Sequence, residues 1–238
     1  MNINLKTKLQ ALIDQYKEDM AAYQERLRTE LNHFNDPGVK RRYSEIGLKE
    51  TIDEKIAELK ADLEALGTTF NQKAKAIVDE AKEQVTSAVM GGTANRPADH
   101  AALVSNALNF LDRETGETLT DDVAYSILKA FTGDYDQMAL FARIVEGKVG
   151  ALVDADGSTT FPKTFGTYAK AHSTLQVFDE ITPITEAIFT NPKYMGADGV
   201  TVCGIYHGLP MDGYLELANW ATLLELAEKV DQAISAKS

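Results

Sequence analysis

Residues 51–89 read TIDEKIAELKADLEALGTTFNQKAKAIVDEAKEQVTSAV, and this stretch decides the fold. Ile52, Ile56, Leu59, Leu63, Leu66, Phe70, Ala74, Ile77, Ala81, Val85 and Ala88 step by three and four, the spacing that lines one face of an α-helix. At about 1.5 Å per residue, a helix from near Tyr43 to Ala88 spans roughly 70 Å, far beyond an ordinary globular helix. Its apolar face needs a partner. Late in the stripe Ala74, Ala81 and Ala88 replace large residues, which means either close or weak packing there.

Upstream, Leu5, Leu9, Leu12, Tyr16, Met20, Tyr23, Leu27, Leu31 and Phe34 follow the same rhythm and predict a helix of about 30 residues. Asn35-Asp36-Pro37-Gly38 interrupts it, since proline has no backbone donor and glycine permits a sharp turn. The first helix can fold back on the second as an antiparallel hairpin, or the stripes can pair between chains as a coiled coil. Tyr16, Tyr23, Phe34 and Phe70 are bulky for a two-stranded seam and favour more than two helices or an irregular interface. Self-association is expected through the seam, at Leu59, Leu63, Leu66 and Phe70, and the basic cluster Lys40, Arg41 and Arg42 at its tip is a further candidate interaction site, read as a solvated turn or a contact with an acidic domain in preference to phosphate.

Charge separates the chain into two materials. Up to Arg96 there are 15 basic and 16 acidic residues, and after it 9 and 20, within a total formal charge of −12. Between them, Met90-Gly91-Gly92-Thr93-Ala94-Asn95-Arg96-Pro97 breaks any helical pattern. The predicted organisation is a helical hairpin or coiled coil over 1–90, a Gly/Pro linker over 91–97, and an acidic, mainly α domain over 98–238. In the last part, 97–111 forms an amphipathic helix. Thr120 caps a helix through Phe131 and Asp134 one through Val145, Thr182-Pro183 opens another, and Leu215 to Ile234 closes the chain. Asp198-Gly199-Val200-Thr201-Val202-Cys203-Gly204-Ile205-Tyr206 alternates after a turn dipeptide and predicts a strand or small β-hairpin.

The chemistry-bearing residues are sparse. Cys203 is the single cysteine, and His33, His100, His172 and His207 are scattered, so no zinc spacing or internal disulfide is available. Asp154-Ala155-Asp156-Gly157-Ser158 opens like a calcium loop, but Phe165 stands where the bidentate glutamate belongs, so an acidic turn is the better reading. Cys203 and His207 lie four apart without a cysteine-hydrolase signature. Asp121 with Asp122, Asp134 with Asp136, and Asp179 with Glu180 read as helix-end or solvated charge rather than acid–base pairs. Gly91-Gly92-Thr93 lacks the lysine of a phosphate loop. No catalytic, cofactor or metal residue is therefore assigned. The acidic second half disfavours direct contact with nucleic acid, and no apolar run is long enough to span a membrane. With no apolar leader in the first residues, a cytoplasmic location is expected.

The charged first helix, the Tyr43-Ser44-Glu45-Ile46-Gly47 that follows the turn, and the segments Ile52-Asp53-Glu54-Lys55-Ile56 and Ala76-Ile77-Val78-Asp79-Glu80-Ala81 resemble helical proteins of the structural modules of tailed bacteriophages and prophages. The resemblance covers under half of the chain. It implies a scaffolding, capsid-associated or connector-associated protein without catalytic residues, possible association with the virion, and a capsid, portal or other virion protein as partner. The alternative expectation, from the acidic second half, is a soluble inhibitor or adaptor that occupies a basic site on a host protein.

Overall fold

The computed structural model describes residues 3–90, 96–154, 156–190, 193–196, 199–202 and 214–235. The fold is mainly helical: α1 (Leu5–His33), α2 (Pro37–Lys40), α3 (Glu45–Met90), α4 (His100–Arg113), α5 (Asp121–Leu128), α6 (Tyr135–Val149), α7 (Pro162–Thr185) and α8 (Trp220–Ser235). Among the described residues no helix is long and apolar enough to cross a membrane.

Packing divides the chain into two compact units, one made of Asn4–Val78 and Ile181–Glu228, the other of Met1–Ile3, Asp79–Glu180 and Lys229–Ser238. The division cuts within α3, α7 and α8 and groups a late segment with the N-terminal hairpin. Residues 91–95, the centre of the expected linker, lie outside the described residues.

In the unit containing α1, the two stripes meet within one chain. Tyr23 donates its hydroxyl to the Leu59 carbonyl at 2.8 Å, Arg26 pairs with Asp62 at 2.8 Å, and Lys55 pairs with Glu30 at 2.6 Å. Tyr16 meets Phe70 edge-on at 5.1 Å. Partner numbers run from 70 at Tyr16 down to 55 at Glu30, so the pair is antiparallel. The turn forms where the sequence places it: Asp36 accepts from the Gly38 and Val39 N–H groups at 2.6 and 3.2 Å, with Pro37 in the first helical position. Ser44 then accepts from Gly47 N–H at 3.1 Å at the start of α3.

A third component closes this unit. Phe189 lies against Tyr16 at 4.5 Å and Phe70 at 5.5 Å. Its carbonyl accepts from the Tyr16 hydroxyl at 3.3 Å, and its N–H donates to Asn71 Oδ1 at 3.0 Å. Gly67 permits this approach, for a Cβ there would lie 2.5 Å from the Phe189 carbonyl oxygen. Of the late alanines, Ala74 is buried in this unit and Ala81 in the other, whereas Ala88 is exposed.

The other unit gathers Leu111, Leu128, Phe131, Phe141, Val145, Leu152 and Phe165 into one apolar core. Thr120 caps α5 and Asp134 caps α6, through Val123 N–H at 3.4 Å and Gln137 N–H at 3.1 Å. The helix after Thr120 stops at Leu128 and tightens into a 3-10 turn over Lys129–Phe131.

Two expected starts differ. Pro183 lies inside the end of α7 instead of opening a helix; without an N–H it removes only one late helical bond, and the helix stops two residues later. The last helix starts at Trp220, and Tyr214–Glu216 is strand β3. β1 (Lys193–Gly196) pairs antiparallel with β2 (Gly199–Val202) and with β3, in the order β2-β1-β3. Of the alternating run expected to form a strand or hairpin, Asp198 and Cys203 to Tyr206 lie outside the described residues, as does His207.

Candidate functional site

Tyr135, Ala139 and Arg143 recur every four residues on α6, and Tyr168, His172 and Gln176 do so on α7. This period places each set on one helical face, and the two faces border a cavity of about 520 Å³, which Glu146, Val153 and Asp154 also line.

One wall is a run of rings. Tyr168 stacks on His172 at 5.4 Å with 17° between planes, and Tyr135 lies against Tyr168 at 5.2 Å. The Tyr135 hydroxyl is 3.1 Å from His172 Nδ1, and Gln176 Nε2 is 3.1 Å from His172 Nε2. With the Gln176 amide donating, Nε2 of a neutral imidazole accepts and Nδ1–H donates to the Tyr135 oxygen, which frees the phenolic proton of Tyr135. Burial pushes the Tyr168 phenol up to about 12, with the neighbouring Tyr135 phenol and the Glu146 charge pushing the same way against Arg143. Burial, followed by the Asp136 charge, also raises the Tyr135 phenol. Both phenols therefore stay protonated at neutral pH, and each keeps a proton to donate.

The other wall is charged. Arg143 and Glu146 are exposed on α6, and among the described residues neither side chain forms a hydrogen bond or ion pair. Asp154 is held in its turn by Ser158, whose hydroxyl donates to Asp154 Oδ2 at 3.0 Å. Asp156 accepts from Ser158 N–H at 2.9 Å, and hydrogen bonding from Ser158 lowers its carboxyl. These contacts make an acidic turn of Asp154 to Ser158; Phe165 is buried in α7. Among the described residues no group of three or more His, Cys, Asp and Glu side chains is arranged to hold a metal.

The sequence-selected interaction residues separate. Leu59 and Phe70 are buried inside the hairpin, and Leu63 and Leu66 are half-buried beside them. Lys40, Arg41 and Arg42 are exposed at the turn, together with Tyr43 at 43% and Ile46 at 73% exposure. A second apolar feature lies between α4 and α5, a groove of about 500 Å³ lined by Leu103, Phe110, Val123 and Ile127 together with Glu114. Phe110 is 55% exposed there.

The three carboxylate pairs have structural work. Asp121 accepts from the Lys163 and Thr164 N–H groups at 2.8 and 3.0 Å and from the Thr164 hydroxyl at 2.7 Å, so it satisfies the first turn of α7. Asp134 is gripped by Arg96 at 2.6 and 2.9 Å; that hydrogen bonding lowers its carboxyl, with the Gln137 N–H adding to the effect. Asp179 pairs with Lys82 at 2.9 Å.

Sequence reasoning weighed His172 only as a zinc ligand and missed its ring stack. The available signal was the four-residue recurrence of Tyr, His and Gln on α7 facing that of Tyr and Arg on α6. No family model matches the chain, and the searches of curated proteins and of solved structures return no match.

Proposed function

We propose that this chain is a non-enzymatic assembly protein that works by docking to other proteins, in a setting related to a phage virion. One observation carries the docking reading: an apolar pair, Tyr43 and Ile46, stands exposed beside Lys40, Arg41 and Arg42 at the end of a hairpin whose own seam is closed. An exposed isoleucine gains by burial, and three neighbouring cations on a chain of charge −12 favour an acidic docking surface. A second copy of the chain is one such surface. The virion setting rests on the resemblance of the first ninety residues.

Light scattering after size exclusion, over a range of concentration and salt, tests this reading. The full chain forms a defined oligomer that dissociates at high salt; a variant with Tyr43→Ser, Ile46→Ser and Arg41→Ser is monomeric with an unchanged melting curve. A monomer at every concentration refutes self-association through the tip.

The groove between α4 and α5 supports a second reading, an adaptor that takes an amphipathic segment with basic flanks from another protein. Phe110 supplies the apolar contact and Glu114 the charge.

A further inference from the structure

The α6–α7 cavity is not used by a docking protein, and it holds the parts of a small-molecule site. Its volume of about 520 Å³ falls within the usual range of ligand pockets, about 300–1,000 Å³. The Tyr168 ring is nine-tenths buried, and its hydroxyl has no hydrogen-bond partner among the described residues. The hydroxyl itself stays open to solvent, and Tyr168 lines the cavity, so a ligand there can take the proton of this phenol.

Charge narrows the ligand further. Arg143 and Glu146 are three residues apart on α6, and such positions hold their Cβ atoms about 5–6 Å apart. One small molecule can therefore meet both heads. A guanidinium without a partner selects a carboxylate, which it can take with two parallel bonds. A free carboxylate beside it selects an ammonium. The stacked Tyr168 and His172 rings, with Tyr135 next to them, give a flat apolar wall that suits a planar group.

From this juxtaposition we propose that the cavity binds a free α-amino acid with an aromatic side chain. Its carboxylate meets Arg143, its ammonium meets Glu146, and its ring packs along Tyr168 and His172. A peptide end fits less well, because each terminus of a peptide carries only one of the two charges.

Isothermal titration of the full chain with phenylalanine, tyrosine and tryptophan tests the site, using the N-acetyl and amide derivatives of the best binder as controls. The free amino acid binds, and each derivative binds at least about tenfold more weakly, the difference one well-placed charged contact supplies. In Arg143→Met the free acid and the amide bind alike, since the carboxylate no longer has a partner. In Glu146→Gln the free amine and the N-acetyl derivative bind alike. Both side chains are exposed, so circular dichroism melts of the variants match the parent and separate lost recognition from lost folding. Absence of binding by all three amino acids at millimolar concentration overturns the proposal, as does equal binding of the charged and capped forms to the parent protein.

Discussion

Replacing Phe189 by alanine tests whether the late segment is an integral part of the helical hairpin. Phe189 is 1% exposed and forms a three-ring cluster with Tyr16 and Phe70 at 4.5 and 5.5 Å. A buried phenylalanine removes about 150–250 Å² from water, and at about 25 cal/mol per Å² most of that is lost on truncation to a methyl group. With the cavity left between rigid helices, the expected loss is about 3–5 kcal/mol, a large part of the roughly 5–15 kcal/mol that holds a domain together. The assay is urea unfolding followed by the fluorescence of Trp220, the single tryptophan, which lies in the same unit with the Lys17 ammonium 5.3 Å from its ring centroid. Gly67→Ala supplies the second arm of a cycle, because its methyl group would lie 2.5 Å from the Phe189 carbonyl oxygen. It costs about 1–3 kcal/mol in the parent and less in the Phe189→Ala background, where the segment can retreat; a coupling of at least about 0.5 kcal/mol is expected. A loss below about 1 kcal/mol for Phe189→Ala, the average for any substitution, together with strict additivity, refutes the three-part core.

Asp134→Asn leaves Arg96 without its bidentate partner and costs about 1–3 kcal/mol at neutral pH. Because Arg96 lowers the folded carboxyl, the parent holds this contribution above the ordinary carboxylate range and loses it as pH falls through the lower folded value; melts from pH 7 to pH 2 of parent and variant therefore converge on the acid side. Asp121→Ala removes the acceptor for two N–H groups of α7 and costs about 0.5–2 kcal/mol, as loss of a helix cap does, with faster amide exchange at Lys163 and Thr164 as the local readout. In an alkaline titration followed by phenolate absorbance, Tyr168 ionises near pH 12, so Tyr168→Phe deletes a late step and leaves the earlier ones in place.

What could be read from the sequence follows from how each structure is encoded. α1, α3 and the turn between them were legible because stripes of step three and four, a proline and an Asx cap are local signals. The capping roles of Thr120 and Asp134 were legible for the same reason. α7 was not, since Phe165, Ala169, Ala171, Phe178 and Ile181 do not form a single stripe and Pro183 suggested a start. Nor was Phe189, because a stripe states that a face is buried without saying by what. The cavity was hidden for a related reason: Tyr135 and Arg143 meet Tyr168 and His172 across about 30 positions of chain, and neither group carries a motif.

The same distinction decides which variants can test an association role. Seam residues attract attention as sequence, yet Leu59 and Phe70 are buried within their own chain, so changing them to serine places an unpaired hydroxyl in a core and leaves a void. Loss of assembly in such a variant is the expected consequence of unfolding and discriminates nothing. Tyr43 and Ile46 differ, because both stand in solvent, where substitutions ordinarily change stability by no more than about 0.5 kcal/mol. A change in oligomeric state or partner binding on their replacement therefore reports on the surface itself. Reversing Lys40, Arg41 and Arg42 to glutamate adds the electrostatic half: an acidic docking surface then repels the tip, and the loss of binding is greatest at low salt, where screening is weakest. If the reversed tip binds as before at low salt, the tip does not dock through charge, and the apolar groove between α4 and α5 becomes the surface to probe.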